Sequence, residues 1–223
     1  MIAPDYIERS HRKTLSLVIM KDGNVVVKAP LKMADSVINH FVEEKQKWLK
    51  EKLDQINANR SRFKNVINYK EFLLYGNSYN ILFGTEKTIM VSDNFQIVLP
   101  ERYRQEPLKP LKSWFKAISR EIFVDRIKHF EEKMQVKSSQ LKIGDSVSNW
   151  GYCNSRGMIM LNFRVIMLPP KLIDYVVVHE LCHLKEMNHS RKFWNLVSTF
   201  LPNYISLKQQ MKEYKFLLNL YKK

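Results

Sequence analysis

Residues 179–189 read HELCHLKEMNH, in which two histidines four apart bracket a glutamate and a third histidine follows. On a helix, His179 and His183 share a face with Cβ atoms about 5–6 Å apart, so both imidazoles can reach one metal ion. Glu180 is turned about a quarter of the way round the helix. It stands beside the metal rather than on it, close to a water it could deprotonate. A catalytic zinc takes three protein ligands and keeps a fourth position for water, whose pKa falls toward about 7. The pattern therefore asks for one more ligand.

His189 is the leading candidate. In an unbroken helix it would lie about 9 Å along the axis from His183 and on another face, so the helix must end first. Asn188 could end it, since Asn tolerates the left-handed conformation common just past a helix end, and Ser190 could cap a following helix through Arg191, Phe193 and Trp194. Glu186, three residues after His183, is the rival ligand. His189 is preferred because a helical Glu at that spacing points along the axis rather than back at the metal. HExxH also arises by chance. Here the apolar run LIDYVVV precedes it and three of the six histidines fall within eleven residues, which favours a metal site over coincidence. Tyr204 is a candidate donor to a tetrahedral oxyanion, against simple packing. Tyr175, four residues before His179 and on its face, and Asp174 could orient the ligand imidazoles, with a solvated helix residue as the equal alternative for Asp174.

The stretch NWGYCNSRGMIMLNFRVIMLPPKLIDYVVVHELCHLKEMNHSRKFWNLV resembles the signature of the YgjP-like metallopeptidases, relatives of the SprT-type and other HExxH zincins. LSLVIMKDGNVVVKAP and the helical FVEEKQKWLKEKL are similar to that family's amino-terminal region, so the resemblance covers most of the chain. It implies that His179, His183 and His189 are the metal ligands, that Glu180 is the general base, and that the substrate is a protein or peptide. Where relatives commonly carry Arg-Trp-Gly-Ser-Cys-Ser, this chain has Asn149, Trp150, Gly151, Tyr152, Cys153 and Asn154, so the Arg and both Ser are replaced.

The elements that must position these residues are legible in outline. LSLVIM and NVVVKAP flank Lys21-Asp22-Gly23, a hairpin signal, and apolar spacing through Val37, Ile38, Phe41, Val42, Trp48, Leu49 and Leu53 predicts one helix over about 33–57 packed on it. Three segments between 71 and 99 read as short strands. A long amphipathic helix is expected from Leu111 to about Met134. Next come a strand (LKIGDSVSNWGYC), a turn (Asn154 to Gly157), a strand (MIMLNF), the metal helix to Met187, and two closing helices. MIMLNF could be an edge strand that binds an extended peptide, or equally a buried strand of the core. The expected class is α+β: a zincin-like metallopeptidase domain, with the HExxH helix packed on a small sheet, over 101–223, preceded by a β-rich amino-terminal module with one helix over 1–100.

Composition bounds the rest. With 223 residues and 45% hydrophobic content the chain can build a substantial core. No run approaches the roughly 18 apolar residues of a membrane span, and the start lacks the apolar core of a secretory signal, so no membrane association and a cytoplasmic location are expected. Cys153 and Cys182 make no disulfide framework. Cys182 should pack in the core; Cys153 is read as a buried strand thiol, with a fourth metal ligand as the alternative. The net charge of +15 admits a nucleic acid or nucleotide partner, but the basic residues are spread and interleaved with Glu, as on solvated helix faces. Three functions fit: a zinc peptidase first, a metal-dependent nucleotide hydrolase second, and a nucleic-acid-binding module with structural zinc third. A structural site would need four ligands and would leave Glu180 unexplained. Zinc is not distinguished from other divalent transition metals by three histidines, and no oligomeric state follows from the sequence.

Overall fold

The computed structural model describes residues 1–20 and 23–221. The Lys21-Asp22 pair of the expected turn lies outside them. The chain divides into two compact units, the first ending at Lys64.

In the first unit, β1 (Tyr6–Ser10), β2 (Ser16–Ile19) and β3 (Val25–Pro30) form a sheet in the order β1-β3-β2, with β2 antiparallel and β1 parallel to the central β3. The expected hairpin is β2 and β3. The sequence reading missed β1 because YIERS is a largely exposed edge strand without an apolar face. The helix expected over 33–57 is two, α1 (Asp35–Glu44) and α2 (Gln46–Arg62), broken at Lys45. At the break the Val42 carbonyl accepts both the Lys45 N–H and the Gln46 side-chain amide, and that amide also grips the backbone of Ile2. Ile38, Val42 and Leu49 pack on Val25, Val27 and Ala29, whereas Val37 and Trp48 face out. A one-turn helix, α3 (Lys64–Ile67), comes next.

The second unit begins with β4 (Glu71–Leu74), β5 (Asn77–Gly84), β6 (Met90–Ser92) and β7 (Gln96–Pro100), ordered β4-β5-β7-β6. The boundary expected near residue 101 thus falls inside this unit. Its strands are tied to residues far along the chain: at the β4–β5 turn, the N–H groups of Tyr75 and Gly76 donate to the carbonyls of Ile166 and Met167 at 2.9 and 3.1 Å. Gly76 has a φ of +79°, and a Cβ there would stand 2.7 Å from the Pro169 ring, so only glycine allows the approach.

Helix α4 (Leu108–Met134) buries Phe115, Phe123, Ile127 and Phe130. Beyond it, β8 (Gln140–Gly144), β9 (Gly151–Cys153) and β10 (Met158–Asn162) form a sheet in the order β8-β10-β9, with β8 parallel and β9 antiparallel to β10. One expectation is corrected and one open alternative is decided. LKIGDSVSNWGYC is not one strand but two, on opposite sides of β10. MIMLNF, as β10, is the buried central strand rather than an edge; the edges of this sheet are β8 and β9. The residues between β8 and β9 must cross the sheet end, and Asn162 holds them there by donating to the carbonyls of Ser146 and Asn149 at 2.6 and 3.0 Å.

A buried 3₁₀ segment, Phe163–Met167, leads into α5 (Pro170–Cys182), and α6 (Arg191–Phe200) and α7 (Tyr204–Gln210) close the unit. Arg164 anchors this segment. Its side chain is 1% exposed and donates to Asp145 at 2.7 Å, to Asn162 at 3.2 Å and to the Leu220 carbonyl. Lys112 and Lys116 add their charges to the same carboxylate at 2.8 and 3.2 Å. Burial alone would raise the Asp145 carboxyl, but hydrogen bonds from Lys112 and Arg164 and the guanidinium charge outweigh it and hold it below its ordinary value. A depressed folded pKa stabilises the protein above the unfolded value and loses that contribution as pH falls through the folded one. Asp145→Asn should cost roughly 2–3 kcal/mol at neutral pH, because it strands a buried guanidinium. Thermal melts should show the deficit at pH 7 and its shrinkage below about pH 4; equal melting curves at pH 7 would remove Arg164 as an anchor.

Candidate metal centre

Helix α5 begins with Pro170, whose missing N–H costs nothing at a first helical position. Val176, Val177 and Val178 are poor helix formers, but all three are buried, and packing outweighs local preference. The helix ends at Cys182, five residues before the expected Met187. From His183 the backbone tightens: the N–H groups of His183 and Leu184 donate to the carbonyls three residues back, at 3.2 and 3.1 Å. Asn188 is not left-handed. Its side chain instead accepts the Ser190 N–H at 3.1 Å, and Ser190 caps α6 by accepting the Phe193 N–H at 3.4 Å.

This turn brings the three histidines together. One ligand nitrogen from each of His179, His183 and His189 lies within 4.8 Å of the others, and the Nε2 atoms of His179 and His189 are 3.0 Å apart. The rival Glu186 is not in the group. It contributes its backbone carbonyl, which accepts from His183 Nδ1 at 3.0 Å and so leaves His183 Nε2 facing the other rings. Burial, then the neighbouring His183, His189 and Lys208, pushes His179 down to about 3. Burial, then His183 and Lys208, also lowers His189. Neutral imidazoles are the form that ligates a metal. A tetrahedral ion with nitrogens at about 2.0–2.1 Å sets those nitrogens about 3.3 Å apart, so this donor set fits such an ion.

Aromatic rings hold the imidazoles in place. Phe193 stacks on His183 with centroids 4.5 Å apart, Trp194 on His189 at 5.6 Å, and Tyr204 on Trp194 at 5.3 Å. Tyr204 is thus part of the wall beside His189. Lys208 places its ammonium 4.0 Å from the Trp194 ring centre. Tyr175 packs with its ring 6.0 Å from His179, and its hydroxyl is pushed up to about 12 by burial and by the nearby Tyr204 and Glu180. Asp174 does not orient an imidazole. It pairs with Arg126 at 2.6 Å and ties α5 to α4, while His179 Nδ1 is buried with no hydrogen-bond partner among the described residues.

Glu180 is buried beside the histidines, and burial pushes its carboxyl up to about 8. Gly151 of β9 lies against it: a Cβ there would stand 2.8 Å from a carboxyl oxygen. Cys182 is buried as expected, its thiol pushed up to about 12 by burial. Cys153 is half-buried and lies outside the group of ligand nitrogens, and burial followed by the charge of Glu180 raises its thiol.

Two cavities flank the centre. One of about 290 Å³ opens beside His179 and Glu180, walled by Trp150, Tyr175, Val176 and Met211. The other, about 420 Å³, opens beside His183 and is lined by Asn154, Gly157 and Leu184 among others. Strand β9 runs between them. Phe193, Trp194, Gly151 and Met211 were not singled out in sequence as site residues. Phe193 and Trp194 follow the Ser190 cap directly, which was a usable signal; Gly151 and Met211 approach only through the tertiary fold.

The sequence matches the model of the YgjP-like metallopeptidase domain over residues 13–214. No curated protein matches the chain. Among solved structures it is similar to the metallopeptidase zymogen of Pyrococcus abyssi abylysin, with 22% identity and a TM-score of 0.38 over 40% of this chain and 90% of that one. Among the described residues, no helix is long and apolar enough to cross a membrane. With the family match running through β2 to α7 and enclosing all three converging histidines, the chain belongs to the YgjP-like metallopeptidases.

Proposed function

We propose that this protein is a zinc-dependent peptidase in which His179, His183 and His189 hold the metal and Glu180 is the general base. The observation that carries the reading is the convergence of three imidazoles, two of them with lowered pKa, beside a buried carboxylate at the open edge of a sheet. Membership of a metallopeptidase family supports metal-dependent hydrolysis of peptides. Zinc at such a site supplies Lewis acidity toward a carbonyl and acidity to water.

The chain's own residues supply the remainder. Burial alone favours the protonated Glu180, and beside a cation the carboxyl is drawn back toward its ionised, proton-accepting form. Ionised, it takes the proton of the attacking water and passes it to the leaving nitrogen. The Tyr204 hydroxyl is the candidate donor to the developing oxyanion. The β9 edge aligns the substrate. Tyr152 pairs with Met160, and the Trp150 carbonyl and Asn154 N–H bond to Asn162 and Met158, so the intervening Gly151 and Cys153 turn their backbone groups away from β10. An extended peptide can pair with those groups, its backbone passing Glu180 as it runs from one cavity to the other.

Elemental analysis of wild type should find about one zinc per chain, lost in His183→Ala and kept in Glu180→Gln. Hydrolysis of an unfolded protein should fall about 10²–10⁴-fold in Glu180→Gln. Full activity in that variant would remove Glu180 as the base. Gly151→Ala should keep the metal but lower kcat/KM about 10–100-fold, because its methyl group displaces the Glu180 carboxyl. Kinetics with parallel metal analysis would reveal this, and an unaltered kcat/KM would show that the contact does not set the carboxyl's position.

A further inference from the structure

The metal centre makes no use of the net charge of +15, and part of that charge is gathered in one place. A cavity of about 780 Å³ lies in the second unit, between the loop joining β5 to β6, the residues from Arg102 to Glu106, and the first two turns of α4. Each segment contributes a cation, Lys87, Arg102 and Lys109, and Glu106 is the single carboxylate of the lining. The neighbouring acids are engaged elsewhere. Glu101 accepts from Arg104 Nη2 at 2.8 Å, and Glu86 lays its carboxyl over Gly84 and does not line the cavity. Further along α4, Lys112 and Lys116 are paired with Asp145, whereas Lys87 and Lys109 have no carboxylate partner among the described residues.

Arg102 is held in place for a ligand. Its Nη2 group donates to the Lys87 carbonyl at 2.8 Å and to the Tyr103 hydroxyl at 3.3 Å, and the guanidinium lies over the Tyr103 ring, 4.6 Å from its centre. Its Nε and Nη1 groups donate to nothing among the described residues. A guanidinium fixed in this way, with N–H groups to spare, suits phosphate oxygens. Ile89, Pro110 and the Tyr103 ring set apolar surface among the charges. Cations beside flat apolar surface match a single strand, which offers both phosphates and open base faces. A duplex keeps its bases stacked inside and would meet only the cations.

We propose that this cavity is a binding site for single-stranded nucleic acid, with Lys87, Arg102 and Lys109 on its backbone phosphates and Tyr103 beside its bases. The site does not depend on the peptidase reading, since none of its residues belongs to the metal centre. A lone phosphate group would fill a small part of about 780 Å³ and could not meet cations from three segments at once. An acidic peptide offers carboxylates but no regular series of rings for the apolar surface. Three phosphate contacts on a single strand set the fall of log affinity with log salt at a slope of about −2.

Fluorescence anisotropy of the full chain with a fluorescein-labelled oligothymidylate of about twelve nucleotides should show saturable binding with that salt slope. Lys87→Glu combined with Lys109→Glu should weaken it at least about tenfold. Lys47→Glu combined with Lys50→Glu, an equal change of charge on exposed lysines of α2, should leave it within about threefold. No binding by wild type, or equal losses in the two double variants, would overturn the proposal, and equal losses would assign the binding to overall charge. Thymidine monophosphate and polyglutamate should each compete at least about tenfold more weakly than unlabelled strand. Equal competition by either would replace the strand with a mononucleotide or an acidic peptide. Ultraviolet crosslinking of the unmutated chain to the same strand, mapped by mass spectrometry, should place the adduct at Tyr103. Adducts confined to peptides outside the cavity would overturn the site.

Discussion

The centre depends on one short stretch of backbone, the tight turn that begins at His183. A helix presents His179 and His183 together but carries any later ligand away along its axis. Shortening the hydrogen-bond step at His183 and Leu184 stops that drift, and the Glu186 carbonyl then accepts a hydrogen bond from His183 Nδ1. One bond thus closes the turn and orients the His183 ring. Ser190 starts the next helix at once, so Phe193 and Trp194 arrive as a wall against the imidazoles that the turn has assembled.

Burial of α5 gives the site its electrical character. A helix packed on nearly all sides leaves little water around His179 and Glu180, and their displacements result from that: the imidazole resists protonation and the carboxyl resists ionisation. Both tendencies suit a centre that gains a cation. The close approach of Gly151 completes this burial, since any side chain there would push the carboxyl out of its place. Arg164 works on a larger scale: it gathers the carboxylate after β8, the Asn162 side chain and the carboxy-terminal Leu220 carbonyl at the root of α5. The segment feeding the helix is thus fastened to the β4–β5 turn and to Leu220.

The sequence itself determined the HExxH helix, the third histidine, the Ser190 cap, the β2–β3 hairpin and the α+β class, because each is a matter of local spacing or local turn chemistry. Only the tertiary structure decided the rest. Whether 141–153 was one strand or two depended on partners across the sheet, and so did the assignment of β9 rather than β10 as the open edge. The strands of 71–100 looked like part of an amino-terminal module, yet hydrogen bonds from Tyr75 and Gly76 to residues about ninety positions later join them to the unit that carries the three histidines. Asp174 was open between steering an imidazole and standing in solvent, and it pairs with Arg126 instead, because α4 supplied a charge that periodicity could not reveal. Gly151 and Met211 carry no local signal at all. Their importance comes from being close to Glu180 and to the adjoining cavity, and closeness between residues distant in sequence is settled by packing rather than by spacing.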